Sequence, residues 1–185
     1  MKSRTDVRSL DVKGFAKAND IRSYEDALAD FPRLIEETEG RGGDRLVRWR
    51  AVGEVQPAAG RADQVWLHLT AAAQVPLICQ RCLEPVDVDL SVDRSFRFVA
   101  DEATAEAEDD ESEEDLLVLE KTFDLAGLVE DELLMELPLV PRHDVCPTEV
   151  QLQVEDPGFE QAEADKPNPF AALAGLKSKT GKSQG

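Results

Sequence analysis

The sequence lacks any stretch of about 20 consecutive apolar residues, the length that a membrane-spanning helix requires. Its first twenty residues also lack the apolar run of a secretion signal. Cysteine is scarce: the chain has three among 185 residues, an odd number that argues against the disulfide framework of a secreted protein. These absences predict a cytoplasmic protein with reduced thiols and no membrane partner.

Basic residues are also in deficit, because 21 lysines and arginines stand against 39 acidic residues and give a formal net charge of -18. An average surface of this kind repels the phosphate backbone of nucleic acids. Residues 101–115 contain ten acids and no base, which predicts a solvated, mobile loop. Both chain ends carry more lysine and arginine than acid, so direct RNA binding by the basic termini stays open as an alternative.

Apolar and polar residues alternate from residue 64 towards residue 78 and again over residues 86–100, the period of half-buried strands. Residues 44–55 and 115–120 predict two further strands. Helical spacing over residues 23–38 predicts one or two short helices. A longer helix is expected between Asp124, which can cap its start, and Pro138, which ends it.

This order of elements predicts an α+β fold, with a curved, mostly antiparallel sheet that is either open or barrel-like and carries one or two helices. One domain is expected over residues 1–154. Residues 155–185 are expected to form a mobile linker and a short helix. In that helix Asn168 is the cap, Pro169 takes the first position, and Phe170 and Leu173 lie on one side.

Cys79 and Cys82 occur in the stretch CQRCLEPV, between the two longest predicted strands. A tight turn there brings both thiols within reach of one ion, and the later pair His143 and Cys146 can complete a tetrahedral zinc site. Inert burial of the thiols stays open as well, because sixty residues separate the two pairs. Redox chemistry is disfavoured because strands, not a helix N-terminus, flank the turn. Phosphate-binding glycine motifs are absent, and no catalytic residue is predicted.

Three blocks, CQRCLEPV, FDLAGLVEDELLMELPLVPRHDVC and KPNPFAALAGLK, together resemble the YceD family, known as large ribosomal RNA subunit accumulation proteins. The resemblance implies a cytoplasmic bacterial protein needed for the synthesis, processing or stability of large-subunit (23S) rRNA. It implies no catalytic residue. The residues that match the family pattern are Cys79, Arg81, Cys82, Asp124, Leu125, Val129, Glu130, Asp131, Glu132, Pro138, Pro141, Asn168, Pro169 and Phe170.

The acidic composition suggests that such a role is carried out through protein partners, since ribosomal proteins are basic and an acidic surface attracts them. Ribosomal proteins or assembly factors of the large subunit are therefore the expected partners, and rRNA is contacted directly or indirectly. The predicted partner-binding residues are an acidic strip on the helix and the apolar side of the C-terminal helix: Glu130, Asp131, Glu132, Glu136, Asn168, Pro169, Phe170 and Leu173. An rRNA-processing enzyme is the remaining alternative. It is disfavoured because acids on a mobile loop do not preorganise a catalytic metal.

Overall fold

The computed structural model describes residues 7–58, 60 and 62–149 of the chain. Within these residues the protein has one mixed sheet of five strands, ordered as they follow in sequence. The strands are β1 (Ile21–Ala27), β2 (Leu46–Gln56), β3 (Gln64–Ile78), β4 (Pro85–Val99) and β5 (Asp115–Val118). Neighbours among the first four are antiparallel, and β5 runs parallel to β4. The α+β prediction is confirmed, and the sheet is open rather than barrel-like.

Four α-helices accompany the sheet in the described part of the chain: α1 (Val12–Lys17), α2 (Pro32–Glu37), α3 (Glu102–Glu108) and α4 (Leu125–Met135). Short 3-10 turns cover Leu28–Asp30 and Asp109–Glu111. The inward side chains of α1 and α4 join those of β2, β3 and β4 in one hydrophobic core. In β2 and most of β3 the core takes alternate positions, as the alternation in the sequence predicts, whereas residues 96–99 at the end of β4 are all buried.

Helix α1 approaches β2 closely at Gly53. A Cβ atom at this position would lie 2.6 Å from the ring of Phe15 and 2.8 Å from the Cα atom of Ala16. Only glycine leaves room for the helix backbone at this distance. A residue without a side chain therefore permits α1 to cover this end of the sheet.

The predicted helix over residues 23–38 is wrong in its first part, where the chain forms strand β1. Tyr24 stacks on Trp49 of β2 with ring centroids 4.8 Å apart. Asp26 accepts a hydrogen bond of 2.9 Å from the indole nitrogen of the same tryptophan. These contacts with β2 override the local helical spacing, and helix begins only at Pro32.

The predicted loop over residues 101–115 is also wrong, because much of it is helix α3. Asp101 caps this helix by accepting a 2.8 Å hydrogen bond from the backbone N–H of Thr104. The buried guanidinium of Arg97 then ties the segment to β4 through ion pairs with Glu108 and Glu114. A single cation on the sheet thus compensates part of the acidic run and brings it against the domain.

Helix α4 agrees with its prediction. It begins after Asp124, which accepts a 2.9 Å hydrogen bond from the backbone N–H of Gly127, and it ends before Pro138. The predicted linker and C-terminal helix, with Asn168, Pro169, Phe170 and Leu173, lie outside the described residues. Among the residues described, no helix is both long and apolar enough to cross a membrane.

Candidate metal centre

The turn between β3 and β4 holds Cys79 and Cys82. The backbone N–H of Cys79 donates to the carbonyl oxygen of Glu84 at 3.0 Å, and that of Leu83 donates to the carbonyl oxygen of Cys79 at 2.9 Å. Leu83 adopts a left-handed conformation with φ of 62° to close the turn. This tight geometry places two thiols, three positions apart in sequence, near the end of the hairpin.

The segment that follows α4 brings the second pair to the same end of the hairpin. The backbone N–H of Gln80 donates a 2.8 Å hydrogen bond to the carbonyl oxygen of Pro141. This bond fixes the start of the stretch that contains His143 and Cys146. The two pairs predicted from the sequence are therefore brought together in space, although about sixty residues separate them.

The four candidate ligand atoms, from Cys79, Cys82, His143 and Cys146, all lie within 4.8 Å of one another. The Sγ atoms of Cys79 and Cys146 are 3.9 Å apart, and Cys82 Sγ is 3.4 Å from His143 Nδ1. A regular zinc tetrahedron, with Zn–S of about 2.3 Å and Zn–N of about 2.0 Å, separates two sulfurs by about 3.8 Å and a sulfur and a nitrogen by about 3.5 Å. The spacing and the donor set therefore fit zinc.

The imidazole of His143 is oriented for metal binding. Its Nδ1 atom faces the thiols, while Nε2 lies 3.0 Å from the carbonyl oxygen of Pro85, to which it donates in the tautomer that leaves Nδ1 free. Metal-bound histidines are commonly held by such a hydrogen bond from the ring nitrogen that does not bind the metal. Pro85, the first residue of β4, thus fixes the ring from outside the ligand set.

Arg81 links the two halves of the site. Its Nε atom donates to the Sγ atom of Cys146 at 3.0 Å, and Nη2 donates to the carbonyl oxygens of His143 and Asp144 at 3.0 and 3.3 Å. One guanidinium from the hairpin turn therefore donates three hydrogen bonds to the segment that contains His143 and Cys146. The same contact with the Cys146 sulfur raises the pKa of Arg81 above its usual value.

The thiols differ in their acidity. Burial raises the pKa of Cys79, but hydrogen bonds from the backbone N–H groups of Cys82, His143 and Arg81 outweigh burial and lower this pKa to about 5. Burial raises the pKa of Cys82, and the neighbouring sulfurs of Cys146 and Cys79 raise it further. The site thus stabilises one thiolate and resists a second, and a bound cation removes that resistance.

Thiol catalysis is a poor match for this geometry. Cys79, the thiol with the lowered pKa, has no exposed surface and is shielded from a substrate in solution. Four protein ligands would also fill the tetrahedron and leave no open position for water or substrate. Four such ligands match the donor set of a structural metal site.

The predicted acidic strip on α4 is only partly exposed, and the prediction is corrected for two of its residues. Glu130 is buried, and its carboxylate accepts hydrogen bonds from the backbone N–H groups of Arg33 at 2.7 Å and Leu34 at 3.2 Å. Glu132 is buried as well, and burial raises the pKa of its carboxyl group. Asp131 and Glu136 are exposed, and partner binding by these two remains a prediction.

Sequence reasoning did not foresee the roles of Arg81 and Arg33. The sequence identified Arg81 only as a residue of the family pattern and did not indicate that it contacts Cys146. Arg33 binds Glu130 and Asp131, which follow it by 97 and 98 positions, so no local spacing signals these contacts. A charged residue inside an otherwise apolar helix face was the one available sign that Glu130 has a buried partner.

Comparison with known proteins adds to this geometry. The model of the family described as large ribosomal RNA subunit accumulation protein YceD matches residues 67–177, more than half of the chain. A Haemophilus influenzae protein named large ribosomal RNA subunit accumulation protein YceD is 42% identical over 106 residues, which cover 57% of this chain and 61% of that protein. No solved structure matches the chain. The matched residues include the hairpin turn, α4 and the segment with the second ligand pair, and the chain belongs to the YceD family.

Proposed function

We propose that this protein is a non-enzymatic factor for the accumulation of large-subunit (23S) rRNA in the bacterial cytoplasm. The observation that carries the proposal is membership in the YceD family, supported by the 42% identical relative named for large-subunit rRNA accumulation. The factor acts on the synthesis, processing or stability of the rRNA. The candidate metal centre adds no catalytic position, in agreement with a role in binding.

The proposed mode of action is binding to protein partners, namely ribosomal proteins or assembly factors of the large subunit. The net charge of -18 opposes direct contact with a phosphate backbone and favours encounter with basic proteins. A protein held by such a factor is available for assembly while the large-subunit RNA matures. The rRNA is then affected indirectly, through the supply of its partners.

The candidate metal centre supports this role as a structural zinc site. The ligands Cys79 and Cys82 come from the hairpin turn, and His143 and Cys146 come from the segment after α4. Zinc bound there would join two parts of the chain that are already linked by hydrogen bonds of Gln80, Arg81 and His143. The metal would stabilise the fold and would take no part in a reaction.

Depletion and rescue in cells test the function. The ratio of large- to small-subunit rRNA is measured after depletion, with wild-type protein, a Cys79→Ser/Cys82→Ser variant or a Glu84→Gln control supplied from a plasmid. Glu84 is an exposed residue of the same turn and is not a candidate ligand, so its variant controls for changes to the turn. The expected result is a fall in the ratio that wild type and control restore and the double variant does not. An unchanged ratio after depletion would contradict the proposed function.

Metal content is tested separately by elemental analysis of protein purified without chelator. We expect one zinc per chain in wild type and a large loss in the Cys79→Ser/Cys82→Ser variant. Far less than one zinc per chain in the wild-type protein would contradict the metal site. The function would still stand if wild type restored the rRNA ratio.

A further inference from the structure

A groove of about 630 Å³ lies between α3, β5 and the first half of α4. Its volume is within the range of about 300–1,000 Å³ that is usual for small-molecule and cofactor sites, so it has room for a side chain of a partner. Half-buried apolar side chains line it: Ala105 of α3, Leu117 of β5, Phe123, and Leu128 of α4. The groove is separate from the candidate metal centre, because no candidate ligand lines it.

The rim of the groove is strongly acidic. Four exposed carboxylates line it, those of Glu102, Glu120, Asp124 and Asp131. Arg33 is the cation in this lining, and its guanidinium is already bound to Asp131 and to the buried Glu130. The remaining carboxylates give the groove a net negative charge that an incoming cation would neutralise.

The groove also runs beside the edge of the sheet. Strand β5 pairs with β4 on one side and has no strand on its other side within the described residues. It is the edge strand of the sheet, and an extended segment from another chain can add to a sheet at such an edge. The shape of the site therefore suits an extended chain better than a compact small molecule.

We propose that this groove binds an extended, basic segment of a partner protein, with at least one apolar side chain seated between α3 and α4. The inference rests on the proposed function in taking the partner to be a protein. Charge decides among the other occupants: the net negative charge of the rim repels RNA phosphate, and a second copy of this chain carries the same net charge of -18. A lysine- or arginine-rich segment satisfies both the acidic rim and the apolar floor.

The test uses a fluorescein-labelled synthetic peptide in which lysine and leucine alternate, titrated with the full chain in a fluorescence anisotropy assay. Two further peptides separate the contributions: in one serine replaces leucine, and in the other glutamate replaces lysine. A short RNA oligonucleotide serves as the probe for nucleic acid. We expect the lysine–leucine peptide to bind best and its affinity to fall as salt is raised.

Protein variants then locate the binding site. Glu102→Lys/Glu120→Lys reverses two rim charges, and Ala105→Arg places a long side chain in the groove while keeping a residue that favours helix. The control, Asp44→Lys/Asp63→Lys, makes the same change of charge at two exposed residues that do not line the groove. Two reversed charges are expected to weaken peptide binding about tenfold. Circular dichroism and thermal melting confirm that each variant folds.

The outcomes separate the groove from the function. Weaker binding in both groove variants, with normal binding in the control, supports the inference. Equal loss in the groove and control variants would show only general charge attraction and would overturn it, as would unchanged binding in the groove variants. Preferential RNA binding at the groove would overturn it too. None of these results alters the rRNA ratio in depleted cells, which tests the proposed function independently.

Discussion

Glu130 is the buried acid that joins α4 to α2, and replacing it by alanine should destabilise the fold. Its carboxylate accepts hydrogen bonds from the backbone N–H groups of Arg33 and Leu34, at the start of α2. It also accepts two bonds from the guanidinium of Arg33, from Nε at 3.2 Å and Nη2 at 3.1 Å. Glu130→Ala removes all four bonds together.

The loss of stability in Glu130→Ala can be estimated from the groups that lose their hydrogen-bond partner. Leu34 is fully buried, so its N–H group loses its partner without access to water, at a cost of about 1–3 kcal/mol. The side chain of Arg33 is 52% exposed, so loss of its ion pair adds no more than about 1 kcal/mol. Loss of the carboxylate at the N-terminus of α2 adds about 0.5 kcal/mol. A total of about 3 kcal/mol corresponds to a fall in melting temperature of roughly 6–12 °C for a chain of this length.

Thermal and urea denaturation of the purified chain measure this effect, with Asp131→Asn as the matched control. Asp131 also pairs with Arg33, but its side chain is 52% exposed, so its loss should cost less than about 1 kcal/mol. Glu130→Gln should be intermediate, since one acceptor oxygen is kept. If Glu130→Ala melted within about 2 °C of Asp131→Asn, the carboxylate would not be the link that the structure shows.

Three further predictions concern other charged residues. Arg81→Ala should release zinc to a chelator faster than wild type, because the guanidinium holds the Cys146 segment; a colorimetric zinc assay checks this, and an unchanged rate would contradict it. Burial raises the pKa of Glu132, so the ionised carboxylate opposes folding. The stability of Glu132→Gln relative to wild type should therefore increase as pH rises above about 4.3. Urea midpoints measured across pH should show this trend, and the opposite trend would refute it. Arg97→Met should expose α3 to protease at lower denaturant concentration than wild type, because its ion pairs with Glu108 and Glu114 are lost, and an unchanged digestion pattern would count against this.

Local patterns in the sequence predicted the elements whose cause is local. The alternation in β3 follows from one buried face, and Asp124 caps α4 through a bond three residues away. The two ligand pairs were predictable for the same reason, since a short turn or loop holds each pair together. Their meeting in space was a hypothesis about chemistry, because metal binding is one reason for two distant pairs of ligands to converge.

Long-range contacts account for what the sequence concealed. Residues 23–27 have helical spacing, yet they form a strand because Tyr24 and Asp26 find Trp49 on β2. The acidic segment reads as a loop, yet α3 forms against β4 because Arg97 supplies a cation at its far end. In both places a contact with another element supports the structure: Asp26 lies 23 positions from Trp49, and Glu108 lies 11 positions from Arg97.

The same contacts revise the meaning of the acids on α4. Asp124 caps the helix, Glu130 holds α2, and Glu132 lies buried 3.8 Å from Arg94. Three acids of the family pattern thus act within the fold, where their substitution changes stability. Glu102 of α3, in contrast, is an exposed carboxylate that lines the groove and has no such structural role. Charge reversal at Glu130 or Glu132 would therefore report mainly on folding, whereas the same change at Glu102 and Glu120 tests the proposed partner binding.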